Sequence, residues 1–216
     1  GLHDETGRVW LAKSDDVAEA ELGANAVQHS VPSTGVRSVQ MQFVGTIWTT
    51  SFVSESGFCF GMTGLTGRIQ NPDGIPTLFL LHLLAERCRT VADAEAVCAS
   101  FEVSQGGMSI LVGDASGDLA ILEKHAVGQS IRRPEGVRQA IWQTNHCCGV
   151  NLIGQDDPSS ALLGNSRDRM ALLEERKGNL DRSFEGLARL YRTHGSPAGI
   201  CQHGEAGLHT DSAILM

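Results

Sequence analysis

The sequence predicts an α+β fold, a four-layer αββα sandwich of two stacked antiparallel sheets, each covered on its outer side by a pair of helices. Three observations predict it. The 216 residues order themselves as strands, two helices, strands, two or three helices and a last strand. The stretch 40–65 reads as a hairpin whose two faces differ: Phe58, Phe60 and Met62 share one side of its second strand, and Cys59, Gly61 and Thr63 share the other. Both helical sections are paired and amphipathic, so their apolar faces need a sheet beneath them.

Taken in order, residues 8–13 form a short opening strand after a turn at 4–7, and strands follow at 26–31 and 36–44. The hairpin strand 46–53 alternates between Ile47, Thr49, Ser51 and Val53 on one side and Trp48, Thr50 and Phe52 on the other. SESG at 54–57 supplies the turn, Gly57 being free to take a positive φ. Residues 74–88 are helical, with Pro76 suited to a first turn. Residues 90–101 open with a capping-box pattern from Thr90 to Asp93 and carry Ala94, Val97, Cys98 and Phe101 at helical spacing. Strands resume at 108–112 and 119–123 around a DASG turn, then at 129–132 and, after a turn at 134–136, at 138–145. A second helical section starts near Asp157 and Pro158 and is interrupted at Gly164 and Asn165; Ser166 then caps a helix over 167–177. A further helix spans 183–193 with Phe184, Leu187, Ala188 and Tyr191 on one stripe, and 208–216 reads as a strand. No repeat or low-complexity linker divides the chain, so residues 1–216 form a single domain.

Composition excludes several function classes. A formal charge of −8 disfavours nucleic acid and anionic membrane surfaces as partners. No apolar run reaches the ~18–20 residues that a membrane span needs, and no signal peptide is visible, which points to the cytoplasm. The 6 cysteines, Cys59, Cys88, Cys98, Cys147, Cys148 and Cys201, show no CxxC pair and read mostly as small buried hydrophobes. Cys201 and His203 form the nearest metal-like pair, but no second pair at a suitable spacing completes four ligands, so neither metal nor cofactor is expected. Beginning at Gly1 and stopping inside a strand, the chain reads as processed, or as truncated at both ends.

There is no dinucleotide fingerprint, P-loop, GxSxG elbow or HExxH. Cys147 and Cys148 follow His146, but neighbours on a strand face opposite ways, which keeps thiol and base apart. Three polar clusters interrupt apolar elements. KSDD at 13–16 sets Lys13 near Asp16 just beyond the first strand, and QTNH at 143–146 offers an amide donor in Asn145. SRDR at 166–169 puts two arginines in a first helical turn, where the helix dipole disfavours them, so one of them is expected to be held there for another reason; Arg169 either joins the site or pairs with Glu174 or Glu175 on its own helix.

In combination and in this order, these stretches resemble the acyl-coenzyme A:6-aminopenicillanic acid acyltransferase family. Its members are linear-amide C–N hydrolases of the N-terminal-nucleophile (Ntn) class, related to choloylglycine hydrolases and penicillin V acylases. GRVWLAKSDD is similar to the family's opening strand, with Lys13 at its arginine position and Asp16 at its aspartate. GTIWTTSFVSESGFCFGMTGL and MSILVGDASGDLAILE resemble its hairpins, TNH its oxyanion tripeptide and ICQH its late ICRH strand. The resemblance implies an Ntn-type αββα fold and a cysteine, freed by autoproteolysis, whose own amine acts as base. It further implies Asp16 beside that amine and Asn145 as oxyanion donor, with Thr63, Gly64, His146 and Arg169 as secondary site residues. None of the 6 cysteines stands at the nucleophile position, which is expected just upstream of residue 1. The implied substrate is a small N-acyl or acyl-thioester compound. The alternative is a non-catalytic relative that keeps the fold as a binding or scaffold protein.

Overall fold

The computed structural model describes residues 1–104, 106–135, 140–195 and 199–216. Its strands and helices are β1 (Leu2–His3), β2 (Val9–Trp10), β3 (Ala12–Val17), β4 (Asn25–Ser30), β5 (Ser38–Phe43), β6 (Ser51–Ser54), β7 (Cys59–Gly64), α1 (Thr77–Arg87), α2 (Val91–Ser100), β8 (Met108–Gly113), β9 (Leu119–His125), β10 (Gly128–Arg132), α3 (Leu162–Arg176), α4 (Phe184–Tyr191) and β11 (His209–Leu215). One antiparallel sheet holds seven strands in the order β10-β9-β8-β7-β6-β5-β4. Two further antiparallel pairs, β11-β3 and β1-β2, complete the strand pairing among the described residues.

Side-chain alternation sorts the core into layers. On β8, Ile110 and Val112 face one way and Leu111 the other; on β9, Ala120 and Leu122 oppose Leu119 and Ile121. The first set joins Phe52, Phe58 and Phe60 against Leu80, Leu81 and Leu84 of α1 and Val91, Ala94 and Cys98 of α2. Phe52 and Phe60, directly cross-strand, stack at 5.2 Å between ring centroids. The second set meets Leu11 and Ile141. A third cluster packs Leu2, Ala12 and Trp142 against Leu173 of α3 and Leu187 and Leu190 of α4. Every residue of β9 is buried, as expected of a sheet covered on both faces. Each of these fully buried large side chains contributes roughly 1.5–3 kcal/mol, so the hairpin phenylalanines anchor the first helical layer. No helix among the described residues is long and apolar enough to cross a membrane.

Local chemistry explains the boundaries. Gly57 takes φ 81° and its amide donates to Ser54 O at 3.0 Å, closing the β6–β7 turn. Thr90 caps α2, its hydroxyl accepting from the Asp93 amide at 3.1 Å, and Ser183 caps α4 through the Gly186 amide at 3.0 Å. Asp114 reaches from the β8–β9 turn to accept the Val91 amide at 2.8 Å, tying that turn to the start of α2.

Several expectations are corrected. The opening strand does not stop at Lys13: β3 runs to Val17 because it pairs with β11 along its whole length, so the KSDD stretch is strand and not loop. Strand 46–53 shortens to β6, since the Thr49 and Thr50 hydroxyls and the Thr50 amide all turn to Met41 O. The turn and strand expected over 134–145 fall partly on residues 136–139, outside the described residues. Beyond them Ala140 makes a single bridge to Leu2, and residues 141–145 belong to no named strand. Ser166 is no cap: α3 begins four residues earlier at Leu162, passes through Gly164 and Asn165, and buries Ser166 completely. The helix survives the Gly-Asn pair because the Asn165 side chain is engaged elsewhere and does not compete for its own backbone.

Candidate active site

A cavity of about 360 Å³ lies between β3 and the extended segment 141–145, floored by β7 and β8 and roofed by α3 and α4. Gly1, Lys13, Asp16, Thr63, Gly64, Asn145 and Arg169 all line it. Arg169 is the hub. Its Nη1 lies 3.3 Å from Asp16 Oδ2, its Nη2 donates to Asn145 Oδ1 at 2.6 Å, and its Nε donates to Asn165 Oδ1 at 2.9 Å. Burial pulls this guanidinium below its ordinary pKa, and the Asp16 carboxylate counters that pull. Asp16 also accepts from Thr210 Oγ1 at 2.7 Å, through the β3–β11 register that sets Thr210 opposite it.

Asn145 is held on every side. Its amide nitrogen donates to Ser166 Oγ at 2.6 Å, while Nδ2 donates to Thr63 Oγ1 and to Gly64 O, each at 3.0 Å. Thr63 Oγ1 accepts that bond as a hydroxyl, which also carries a hydrogen of its own. Loop 147–149 is pinned from below by Glu123, fully buried, whose Oε2 accepts the Cys148 and Gly149 amides at 2.9 and 3.1 Å. Gly1 exchanges both backbone bonds with Ile141 at 2.8 Å, setting the start of the chain at the edge of the cavity.

Two expected site residues sit differently. Lys13 turns to Asp15 in a buried ion pair and does not reach Arg169 or Asn145. Burial lowers its pKa, and the Asp15 charge opposes the shift. Its stem passes over Gly61, where an added Cβ would come within 3.3 Å of Lys13 Cδ. His146 does not line the cavity, because it follows Asn145 and points away; its Nδ1 sits 2.8 Å from Ser166 Oγ, and burial lowers its pKa. Cys147 and Cys148 are likewise outside the lining. Burial first, then the Asp156 carboxylate, push the Cys147 thiol up to about 12; burial raises Cys148 as well. Neither is an activated thiol.

Sequence reasoning passes over Thr210 and Gln202 and gives Asn165 and Ser166 only a local role. Asn165 Nδ2 donates to Gln202 Oε1 at 2.9 Å, and the Gln202 amide donates to Thr210 Oγ1 at 2.8 Å, so one polar chain links α3, β11 and Asp16. Gly164-Asn165 reads locally as a break and Ser166 as a cap; only the tertiary partners give them a different use.

A sequence profile described as acyl-coenzyme A:6-aminopenicillanic acid acyl-transferase matches residues 7–194. The chain belongs to this family. Among solved structures, the acyltransferase-family chain is similar to penicillin V acylase from Agrobacterium tumefaciens, with a TM-score of 0.62 and 16% identity over 100% of this chain and 78% of that one. It is also similar to the Caenorhabditis elegans N-acylethanolamine-hydrolyzing acid amidase ortholog, with a TM-score of 0.61 and 12% identity over 91% and 85% of the two chains. Conjugated bile acid hydrolase from Clostridium perfringens follows at 0.53 and 12%, over 100% and 84%. At such identities the likeness is one of fold: this is the Ntn-hydrolase architecture. None of the curated protein sequences matches the chain. Family and fold together mark an enzyme of the amide hydrolase and acyltransferase type by resemblance.

Proposed function

We propose that the protein is a cysteine-dependent hydrolase or acyltransferase acting on the linear amide, or thioester, bond of small N-acyl compounds. What carries this reading is the gathering of Asp16, Asn145, Thr63, Gly64 and Arg169 around one cavity with Gly1 at its edge. The nucleophile in this reading is a cysteine a few residues before Gly1. Two registers support that position. β1 pairs antiparallel with β2 as Leu2↔Trp10, and Leu2 bridges Ala140 in the same sense. A preceding segment continuing both would run between β3 and 141–145, its residues meeting Lys13 to Asp15 on one side and Gln143 to Asn145 on the other.

The chemistry then follows from the geometry. The thiol gives its proton to the α-amine of the same residue, and the sulfur attacks the substrate carbonyl. A C–S bond forms as the carbonyl oxygen becomes an oxyanion, which takes a hydrogen bond from the Thr63 hydroxyl and displaces Gly64 O as acceptor of the second Asn145 Nδ2 hydrogen. The C–N bond breaks, the leaving amine takes the proton from the α-amine, and water or an acceptor amine clears the acyl-thioester. Asp16, fixed by Thr210 and Arg169, orients the α-amine; Arg169 holds Asp16 and Asn145 in one frame. The penicillin V acylase and conjugated bile acid hydrolase of similar fold are named for small acylated substrates, which favours the same class here.

The test is cleavage of small N-acyl amides by the chain carrying its upstream cysteine. Asn145→Ala should lower kcat by about 10²–10³-fold, the usual loss for one oxyanion donor, with the circular dichroism spectrum unchanged. An unaltered kcat in a folded Asn145→Ala variant would remove Asn145 from the mechanism.

A further inference from the structure

Outside the cavity, on either side of Gln202 in the polar chain from Asn165 to Thr210, the structure brings His194 to the Cys201–His203 pair. His203 Nε2 lies 2.9 Å from His194 Nδ1 and 3.7 Å from Cys201 Sγ. All three atoms fall within 4.8 Å of one another. The two imidazoles stack at 4.8 Å between centroids, 28° from parallel. Backbone bonds hold the arrangement: the Cys201 amide donates to Thr193 O, one residue before His194, at 3.1 Å, and His203 bridges His209 across a short return of the chain.

We propose that His194, Cys201 and His203 form a binding site for a zinc-class divalent cation. Zinc takes imidazole nitrogen at about 2.0–2.1 Å and thiolate sulfur at about 2.3 Å in a tetrahedron, which sets ligand atoms roughly 3.3–3.6 Å apart. The His203–His194 and His203–Cys201 spacings of 2.9 and 3.7 Å need only a few tenths of an ångström of adjustment, and the third pair, within 4.8 Å, closes by rotation of exposed side chains. Among the described residues the donors are two nitrogens and a sulfur, a borderline-soft set that selects zinc over calcium or magnesium. A ring nitrogen 2.9 Å from another requires one hydrogen between two lone pairs; a cation would use both lone pairs and the sulfur at once. Sequence spacing hides the site, because only the return of the chain after α4 brings His194 to the Cys201–His203 pair.

Position gives the site a consequence. Cys201 and His203 flank Gln202, which is buried and joins Asn165 to Thr210, the partners of Arg169 and Asp16. A bound cation would clamp that residue from both sides, some distance from any substrate. The role is structural and independent of the catalytic reading.

Titration of the metal-free chain with Co²⁺ tests it, read by absorption with no substrate present. A 1:1 complex with a thiolate-to-cobalt band in the near ultraviolet and visible bands of tetrahedral cobalt is expected, displaced by Zn²⁺. Cys201→Ser should abolish the thiolate band. His194→Ala, at an exposed position, should weaken binding by more than the ~10–100-fold that loss of an outer-shell partner costs. Zn²⁺ should raise Tm of the parent chain and leave that of both variants unmoved. Absence of a cobalt spectrum, or a spectrum and affinity unchanged in Cys201→Ser and His194→Ala, would overturn the proposal.

Discussion

Arg169 carries the most weight of any single residue in the cavity. Its side chain is 7% exposed and that of Asp16 11%, so each charge relies on the other in place of water. Removing one partner of such a pair costs about 3–5 kcal/mol, chiefly by stranding the other. Arg169→Met should therefore lower the unfolding free energy by about that amount in urea titration. Adding Asp16→Asn to Arg169→Met should recover part of the loss, a coupling of about 1–3 kcal/mol. Strict additivity of the two changes would show that the pair is not the interaction holding α3 against β3. The same residue marks what was legible in the sequence. Two arginines near a supposed helix start signalled that one answers a partner elsewhere. The signal is readable and the partner is not: Glu174 and Glu175 are the local candidates, whereas the structure pairs Arg169 with Asp16 of β3, and α3 begins at Leu162 with Arg169 well inside it.

At the scale of elements, the joint between α2 and the β8–β9 turn rests on Asp114. Burial works against its charge, yet bonds from Ser116, the Val91 amide and the Ser116 and Asp118 amides outweigh it and hold the carboxyl below the usual aspartate range. A folded-state pKa below the unfolded value contributes stability that is present above the unfolded pKa, about 3.9, and is lost as pH falls through the folded value. Asp114→Asn should cost about 1–3 kcal/mol at pH 7, and the gap to the parent protein should close in acid below about pH 4. A gap that stayed constant with pH would mean that charge at Asp114 plays no part. Elements defined by local chemistry are the ones legible in the sequence: the Gly57 turn, the Thr90 capping box and the two-faced hairpin. Those fixed by distant partners are not. β3 extends to Val17 because β11 pairs with it from the other end of the chain, and Ser166 looks like a cap until Thr144, Asn145 and His146 surround it.

At the scale of the whole molecule, the layers set the chemistry. The seven-stranded sheet presents Phe52, Phe58 and Phe60 to α1 and α2 and leaves small residues, Gly61 and Thr63, toward the cavity. That asymmetry is visible in the hairpin sequence, and it sets Gly61 and the Thr63 hydroxyl at a cavity whose remaining walls are largely apolar. The order of strands and helices is legible in the sequence; the division of the strands into one seven-stranded sheet and the pairs β3-β11 and β1-β2 does not follow from any local pattern. The central claim is that a cysteine placed just before Gly1 reaches Asp16 and Asn145 and attacks an acyl group there. Intact-mass and peptide-mapping mass spectrometry, after acid quenching of a reaction between the cysteine-bearing chain and an activated small acyl ester, tests it most directly. The account predicts one acyl adduct on that first cysteine, absent when it is replaced by alanine. A stable adduct on Cys147 or Cys148 in its place would contradict it.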